Sequence, residues 1–223
     1  MGAKYEHYGK SDYETGDNTH KVLMVDAPSQ TFVFEGVAEQ PVPSLLRGFS
    51  APVRLDYQYT REGLCQLMSR DDDGFVRWDS AQSLALQVIE QVQEQLAESQ
   101  PLKVDRLLTD ACQQLLADES LDPAMVAEML TLPSENYLAE LAGEGAADVE
   151  LIHRARQAVQ KAIGIAVKDQ FLARYHSLAS DAAYAPSGEQ IAARALRNCC
   201  LVYLAAGGPE HLPLAASQLQ SAS

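Results

Sequence analysis

The stretch from Trp78 to Ser99 reads "WDSAQSLALQVIEQVQEQLAES" and decides the fold class of most of the chain. Its apolar residues recur every three to four positions, which is the spacing of one face of an α-helix. They are Trp78, Ala81, Ala85, Val88, Val92 and Leu96. Asp79 and Gln82 lie three residues apart, as in a capping box, so the sequence predicts a helix from Asp79 to about Ser99.

The same helical pattern continues to the end of the chain. Further helix starts are predicted near Val104, at Asp122 followed by Pro123, at Ser134, at Asp148 and at Ser187. The helix from Asp148 is predicted to run past Tyr175, and the last one to end in a left-handed stop at Gly207 and Gly208. Short loops force neighbouring helices to be antiparallel, so residues 71–223 are predicted to form a truncated helical-repeat domain, an α-α superhelix of the ARM or HEAT kind. No exact repeat of fixed period occurs, so this prediction rests on the number of helices.

Upstream of this domain the residue pattern predicts β structure. Strands are predicted in "KVLMV", "TFVFEGV", "VRLDYQYT" and "LCQLMS", within residues 21–70. Four short strands cannot close a sandwich and leave open edges, so we expect only part of a β-sandwich there. The polar residues 1–20 are predicted to be a disordered or foreign leader. The overall fold class is thus mainly α with a small β part.

Composition limits the possible partners and compartments. The 223 residues carry a net charge of −14, which disfavours binding to nucleic acid or to an anionic membrane. No apolar run approaches the roughly 20 residues that a membrane span needs. The four cysteines have no CxxC spacing, which favours a reducing, cytoplasmic location.

A search for catalytic, cofactor or metal sites predicts none. The histidines are His7, His20, His153, His176 and His211, and no HExxH motif is present. The run "RDDDG" fails as a calcium loop because Val76 and Gln82 occupy the Gly and Glu positions, so a solvated turn is predicted instead. Cys199 and Cys200 are predicted to pack as small apolar groups, although a thiol enzyme using either one stays a minor alternative.

Several strings carry a family resemblance. "TFVFEGVAEQPVPSLLRGFSAPVRLDY", then "DGFVRWDSAQSL", "DPAMVAEMLTLPSENYLAEL" and "ARALRNCCLVYLA" follow one another along the chain. In this order they resemble the bacterial aminopeptidase N (alanyl aminopeptidase) family of zinc metallopeptidases, over roughly residues 22–212. The resemblance implies the latter part of an Ig-like β-sandwich followed by the first layers of a C-terminal helical domain.

The resemblance also implies what this chain does not carry. The zinc-binding and catalytic motifs of the family belong to an upstream domain, so no zinc ligand and no catalytic residue is assigned here. The chain is expected to be an inactive spacer and cavity wall of an enzyme that releases N-terminal amino acids from peptides. Its expected partners are the catalytic domain and the remaining helices of that enzyme, with peptides bound only by the whole. A free-standing helical-repeat interaction module is the alternative.

Overall fold

The computed structural model describes residues 21–143, 145, 147–180 and 182–221. These residues belong to two compact units, the first ending at Pro43 and the second beginning at Ser44. The leader predicted for residues 1–20 lies outside the described residues, and so do His7 and His20.

The first unit contains no strand within its described residues, 21–43. Its chain is irregular, with Phe32 as a buried hydrophobic residue. The strands predicted at 21–25 and 31–37 are therefore wrong in this part of the chain. A strand is stable only when a neighbouring strand pairs with its N–H and C=O groups, and side-chain alternation alone does not supply that neighbour.

Helix α1, Arg61–Arg70, replaces the predicted fourth strand. Thr60 caps it, with its Oγ1 accepting a hydrogen bond from the Gly63 N–H at 3.1 Å. Leu64, Leu67 and Met68 have the i, i+3, i+4 spacing of a helix face and are buried together. The segment 53–60, predicted as the third strand, forms no strand either. Helical structure thus begins inside the range that was predicted to be β.

The remaining helices follow without strands between them in the described residues. They are α2, Gly74–Ala97; α3, Arg106–Ala117; α4, Pro123–Leu130; α5, Glu135–Ala142; α6, Val149–Ala166; α7, Lys168–Ser177; α8, Gly188–Gly207; and α9, Leu212–Ser221. Short 3-10 turns lie at Arg47–Phe49 and Pro209–His211. None of these helices is both long and apolar enough to cross a membrane.

Four of the predicted helix starts are confirmed by side-chain caps. The N-caps are Asp122, Ser134, Asp148 and Ser187, each accepting a hydrogen bond from a backbone N–H in the first turn. The capping box at Asp79 is wrong, because α2 begins earlier and Asp73 is its cap. The Asp73 Oδ1 accepts the Val76 N–H at 2.9 Å, which leaves Asp79 inside the helix.

The core of the second unit forms where α2, α6 and α8 pack side by side. Helix α1 covers α2, and α3 packs mainly against α1, while α4 and α7 cover α8. Fully buried members of this core include Leu84, Val88, Val159, Ile163, Phe171, Leu196 and Leu204. One apolar cluster joins all these helices, so α1 to α8 share a continuous core within the second unit.

Two helix ends differ from the prediction. The long helix from Asp148 breaks at Val167, where φ is −112° and ψ is 16°, so Tyr175 lies in the separate helix α7. Gly208 has φ −174°, which is extended rather than left-handed. Gly207 is needed for another reason, since it lies against Gly164 of α6 at a distance that leaves no room for a side chain.

Candidate docking site at the start of the second helix

Arg47 holds the segment 44–50 against the N-terminal end of α2. Its Nη1 donates to Asp71 Oδ1 at 2.7 Å and to Ser44 Oγ at 3.1 Å. Its Nη2 donates to Asp72 Oδ1. Burial lowers the pKa of Arg47, but the hydrogen bonds and charges of Asp72 and Asp71 outweigh it and leave the pKa raised. We call this contact the Arg47 latch.

The aspartates of "RDDDG" are only in part the solvated turn that was predicted, since the Asp72 side chain is 72% exposed but Asp71 and Asp73 make tertiary contacts. The Asp71 side chain is only 4% exposed, and its Oδ1 also accepts the Asp73 N–H at 2.8 Å. Asp73 caps α2 with one oxygen and accepts the Gly48 N–H at 2.7 Å with the other. The carboxylates lie at a helix N-terminus, as predicted, and they also join the segment 44–50 to the helix, which the sequence did not predict.

The latched segment places an aromatic ring beside two rings of α2. Phe49 contacts Phe75 edge to face, with centroids 5.3 Å apart, and Phe75 lies 6.1 Å from Trp78. We call these three residues the aromatic row. Phe49 is 56% exposed and Trp78 is 37% exposed. Trp78 was predicted to share one apolar helix face with Ala81 and Ala85, but it belongs instead to a partly solvent-exposed apolar surface.

Phe49 takes its position through an unusual backbone. Leu46 has φ 53° and Phe49 has φ 52°, in the left-handed region that non-glycine residues seldom adopt. Each such residue costs on the order of 1 kcal/mol and persists only when surrounding contacts hold it. The Arg47 latch, between these two residues, supplies those contacts.

Asp79 lies one helical turn beyond Phe75, on the face of α2 that carries the aromatic row. The residue is exposed, yet the surrounding protein removes enough water from its carboxylate to raise the pKa. No hydrogen bond or ion pair to Asp79 is found in the described residues. Burial raises the pKa of nearby Tyr59 to about 12, and the charges of Tyr57 and Asp79 add to this shift. Asp79 is thus a partly desolvated carboxylate without a cation.

We expect Arg47→Met to release the segment 44–50 without unfolding the helix stack. The 3-10 turn in this segment buries no residue, so polar contacts hold it, namely the Arg47 latch and the hydrogen bond from the Gly48 N–H to Asp73. Far-UV circular dichroism should keep its helical amplitude, while Trp78 emission should move to longer wavelength as Phe49 leaves. Arg70→Met, which removes an exposed arginine nearby, should leave the emission unchanged. Equal spectra for both variants would contradict the latch.

The four thiols are buried or half-buried and are all free cysteines. Burial raises the pKa of Cys65 to about 11 and the pKa of Cys112 and Cys200 to about 12. Burial also raises the pKa of Cys199 strongly. A nucleophilic thiol needs a lowered pKa, so the shifts favour the predicted packing role over a thiol enzyme.

Stability should fall as the pH rises above about 9. The unfolded thiols release their protons near that pH, while the folded thiols keep theirs, so the folded state binds more protons. Cys112 alone should lower the free energy of unfolding by about 1.4 kcal/mol per pH unit between its unfolded and folded pKa values. Urea unfolding at pH 7.5, 9 and 10 measures this. Cys112→Ala should make the decline shallower, and an unchanged slope would contradict the assignment.

The three described histidines do not form a metal centre with the cysteines or carboxylates of the described residues. His153 Nδ1 lies 2.8 Å from Glu135 Oε1 on the surface, and His211 lies 3.7 Å from Glu210. In the part of the chain that the structure describes, no three His, Cys, Asp or Glu side chains could hold a metal ion together. These residues therefore do not offer the donor set of a zinc site.

A shallow groove of about 420 Å³ lies where α2, α5 and α6 meet. Glu90, Glu94 and Asp148 line it, and burial together with the charge of Glu94 raises the pKa of Glu90. The groove is acidic but has no aromatic wall. The aromatic row and Asp79, by contrast, form a surface that combines exposed aromatic area with a carboxylate that has no cation partner in the described residues.

This surface was not predicted from the sequence, although three of its residues lie close together along the chain. Phe75, Trp78 and Asp79 have i, i+3, i+4 spacing, but assigning Asp79 as a cap hid the fact that they share a helical face. Phe49 is distant in sequence, and only the contact between Arg47 and Asp71 brings it to this face. The tertiary ion pair was the signal that the pattern could not show.

Two family models match consecutive parts of the chain. Residues 61–223 match the model described as a domain of unknown function, DUF3458_C, with ARM repeats. Residues 4–58 match the model described as DUF3458, with an Ig-like fold. The predicted Ig-like and helical-repeat classes are confirmed at this level, and the Ig-like match extends into the residues predicted to be a leader.

Curated relatives and a solved structure agree with these matches. Aminopeptidase N of Escherichia coli is 41% identical over 192 residues, 86% of this chain and 22% of the relative. Aminopeptidase N of Haemophilus influenzae is 36% identical over 191 residues, 85% of this chain and 22% of the relative. The crystal structure of Legionella pneumophila aminopeptidase A in complex with aspartic acid superposes with a TM-score of 0.71 at 30% identity, over 83% of this chain and 22% of that one.

These comparisons confirm the resemblance to aminopeptidase N and set its extent. The chain spans about a fifth of the length of the relatives that it matches. The model that covers its helical part accounts for well over half of its residues. The chain therefore belongs to the DUF3458_C family of ARM-repeat domains, and its relatives carry this domain as one part of a bacterial aminopeptidase.

Proposed function

We propose that this chain is a non-catalytic part of an aminopeptidase N, an enzyme that releases N-terminal amino acids from peptides. In this proposal the chain acts as a spacer and as a wall of the cavity that encloses the active site. The observation that carries the proposal is the uneven coverage of the match. Most of this chain aligns with aminopeptidase N, yet it accounts for only 22% of the enzyme.

The helix stack suits a wall better than a reaction centre. Helices α2, α6 and α8 share one continuous apolar core, so the stack can hold a fixed shape beside another domain. Its partners in this proposal are the catalytic domain and the further helices of the same enzyme, in the cytoplasm. The stack has the rigidity that a cavity wall needs to keep its distance from a reacting group.

In this proposal the zinc ion is bound by another part of the enzyme. In a zinc peptidase the metal polarises the scissile carbonyl and activates water, and a carboxylate serves as general base. The described residues do not supply a three-ligand set for such a metal. The proposal therefore assigns the cofactor and the chemistry to the remainder of the enzyme, and peptides bind through the complete enzyme only.

The first test measures activity of the isolated chain. Purified chain with added Zn²⁺ and an alanine-linked chromogenic substrate should show no turnover above buffer. Aminopeptidase N of E. coli under the same conditions serves as the positive control. Robust hydrolysis by the chain, inhibited by bestatin, would refute the proposal.

The second test asks whether the chain works as part of an enzyme. The segment of E. coli aminopeptidase N that aligns with this chain is replaced by the corresponding residues of this chain. We expect the chimera to hydrolyse the substrate within about tenfold of the parent, because the walls are alike in fold. A chimera that folds, as judged by circular dichroism and gel filtration, but has lost activity would contradict the proposal.

The alternative is a free-standing helical-repeat module that binds another protein. The exposed aromatic row is the observation that favours it, because exposed apolar surface of this kind often binds a partner. A stoichiometric partner that is unrelated to aminopeptidases and binds at the aromatic row would support this alternative. An active chimera would instead favour the proposal that the chain is a part of an aminopeptidase N.

A further inference from the structure

We propose that the aromatic row, together with Asp79, is the surface on which this chain receives an arginine side chain from the remainder of an aminopeptidase polypeptide. This inference rests on the proposed function, since it names the contact through which the wall is held. It adds a partner chemistry and a location that the family matches do not give.

The aromatic row and Asp79 together can attract a cation. Phe49 and Trp78 are partly exposed to solvent, and aromatic rings attract cations through the negative quadrupole of their faces. Asp79 lies on the same helical face and has no cation partner in the described residues. A guanidinium group can stack on an aromatic ring and pair with a carboxylate at the same time, because it is planar and presents several hydrogen-bond donors.

The rings of the aromatic row are held in place before a partner binds. The Arg47 latch fixes Phe49 through Asp71 and Asp72, and Phe75 fills the space between Phe49 and Trp78. The rings therefore need no large rearrangement when a partner arrives. Prearranged rings cost less conformational entropy on binding than mobile ones.

The charge of the chain favours a cationic protein surface as the partner of the aromatic row and Asp79. A second copy of this chain is disfavoured, because each copy carries a net charge of −14 and the two would repel. Nucleic acid and anionic lipid are disfavoured for the same reason. A cationic protein surface complements both the overall charge and Asp79. The relatives are several times longer than this chain, so a polypeptide able to supply that surface is part of the same enzyme.

The test uses the intact chain and its single tryptophan. Trp78 is the only tryptophan in the sequence, so its fluorescence reports on this surface alone. An acetylated hexa-arginine amide is titrated into the chain at low salt. We expect a saturable change in Trp78 emission, and weaker binding of the matching hexa-lysine peptide, because an ammonium stacks less well on aromatic rings.

Matched variants separate this surface from general attraction to an acidic protein. Asp79→Asn and Asp110→Asn each remove one exposed carboxylate, the second on α3. Asp79→Asn should weaken binding about fivefold, while Asp110→Asn should change it less than about twofold. Phe49→Ala should also weaken it, and circular dichroism verifies that each variant folds.

Other outcomes overturn the inference. Equal weakening by the two aspartate variants would mean general attraction only. Equal affinity for the arginine and lysine peptides, or no change in Trp78 emission, would contradict the proposal that this surface binds a guanidinium group. A shift of Trp78 emission with protein concentration alone would identify a second copy as the occupant. None of these readouts measures peptidase activity, so a failure here leaves the chimera result to judge the proposed function separately.

Discussion

We expect Phe171→Ala to lower the free energy of unfolding by about 3–5 kcal/mol, the usual cost of deleting a fully buried aromatic ring. Phe171 is 0% exposed and stacks on Tyr203 with centroids 4.8 Å apart and ring planes 9° apart. With Arg174 and Tyr175, it is one of the three buried residues of the short helix α7, which packs on α8. Removing the ring leaves a cavity between two helices whose backbones cannot close it.

The loss should spread beyond the ring itself. The Tyr203 hydroxyl donates to the carbonyl of Leu130 at the end of α4, and Phe171 holds that tyrosine in place. Chemical denaturation followed by circular dichroism measures the change. Tyr137→Ala, which removes an aromatic ring that is 48% exposed in α5, is the control and should cost less than about 1 kcal/mol. Similar losses for the two variants would mean that α7 is not anchored in this way.

Local chemistry explains which parts of the fold could be predicted from the sequence. An N-cap such as Asp122 or Ser134 satisfies backbone donors within its own turn, so its role is decided by neighbours in sequence. The buried faces of α2, α6 and α8 likewise follow from helical spacing. The helix stack as a class was predictable because each helix signals its own start and its own apolar face.

Tertiary context explains what could not be predicted. The segment 64–69 is apolar enough for a strand or a helix, and the cap at Thr60 with burial of Leu64 and Leu67 decides for the helix. Two aspartates compete to begin α2, and the backbone contact of Gly48 with Asp73 favours the earlier one. The candidate site combines residues from two distant segments, so it depended on an ion pair that no spacing rule contains.

The second large effect is expected at the crossing of α6 and α8. A Cβ at Gly164 would lie 2.2 Å from the Tyr203 carbonyl oxygen and 3.0 Å from the Gly207 nitrogen. Both are backbone atoms of a helix, so they cannot rotate away as a flexible side chain could. We therefore expect Gly164→Ala to lower the free energy of unfolding by about 2–3 kcal/mol, which exceeds the gain of about 1 kcal/mol in helix propensity.

Gly188→Ala provides the matched control because the same methyl group enters open space at the first turn of α8. It should leave stability unchanged or raise it by up to about 1 kcal/mol, so only Gly164→Ala should destabilise the protein. Gly207→Ala would bring a Cβ to 2.9 Å from the Gly164 carbonyl and should resemble Gly164→Ala. Since both changes push the same helices apart, the double variant should lose less than the sum of the two. Additive losses would show that the glycines act separately, and a stabilising Gly164→Ala would show that the helices do not approach this closely.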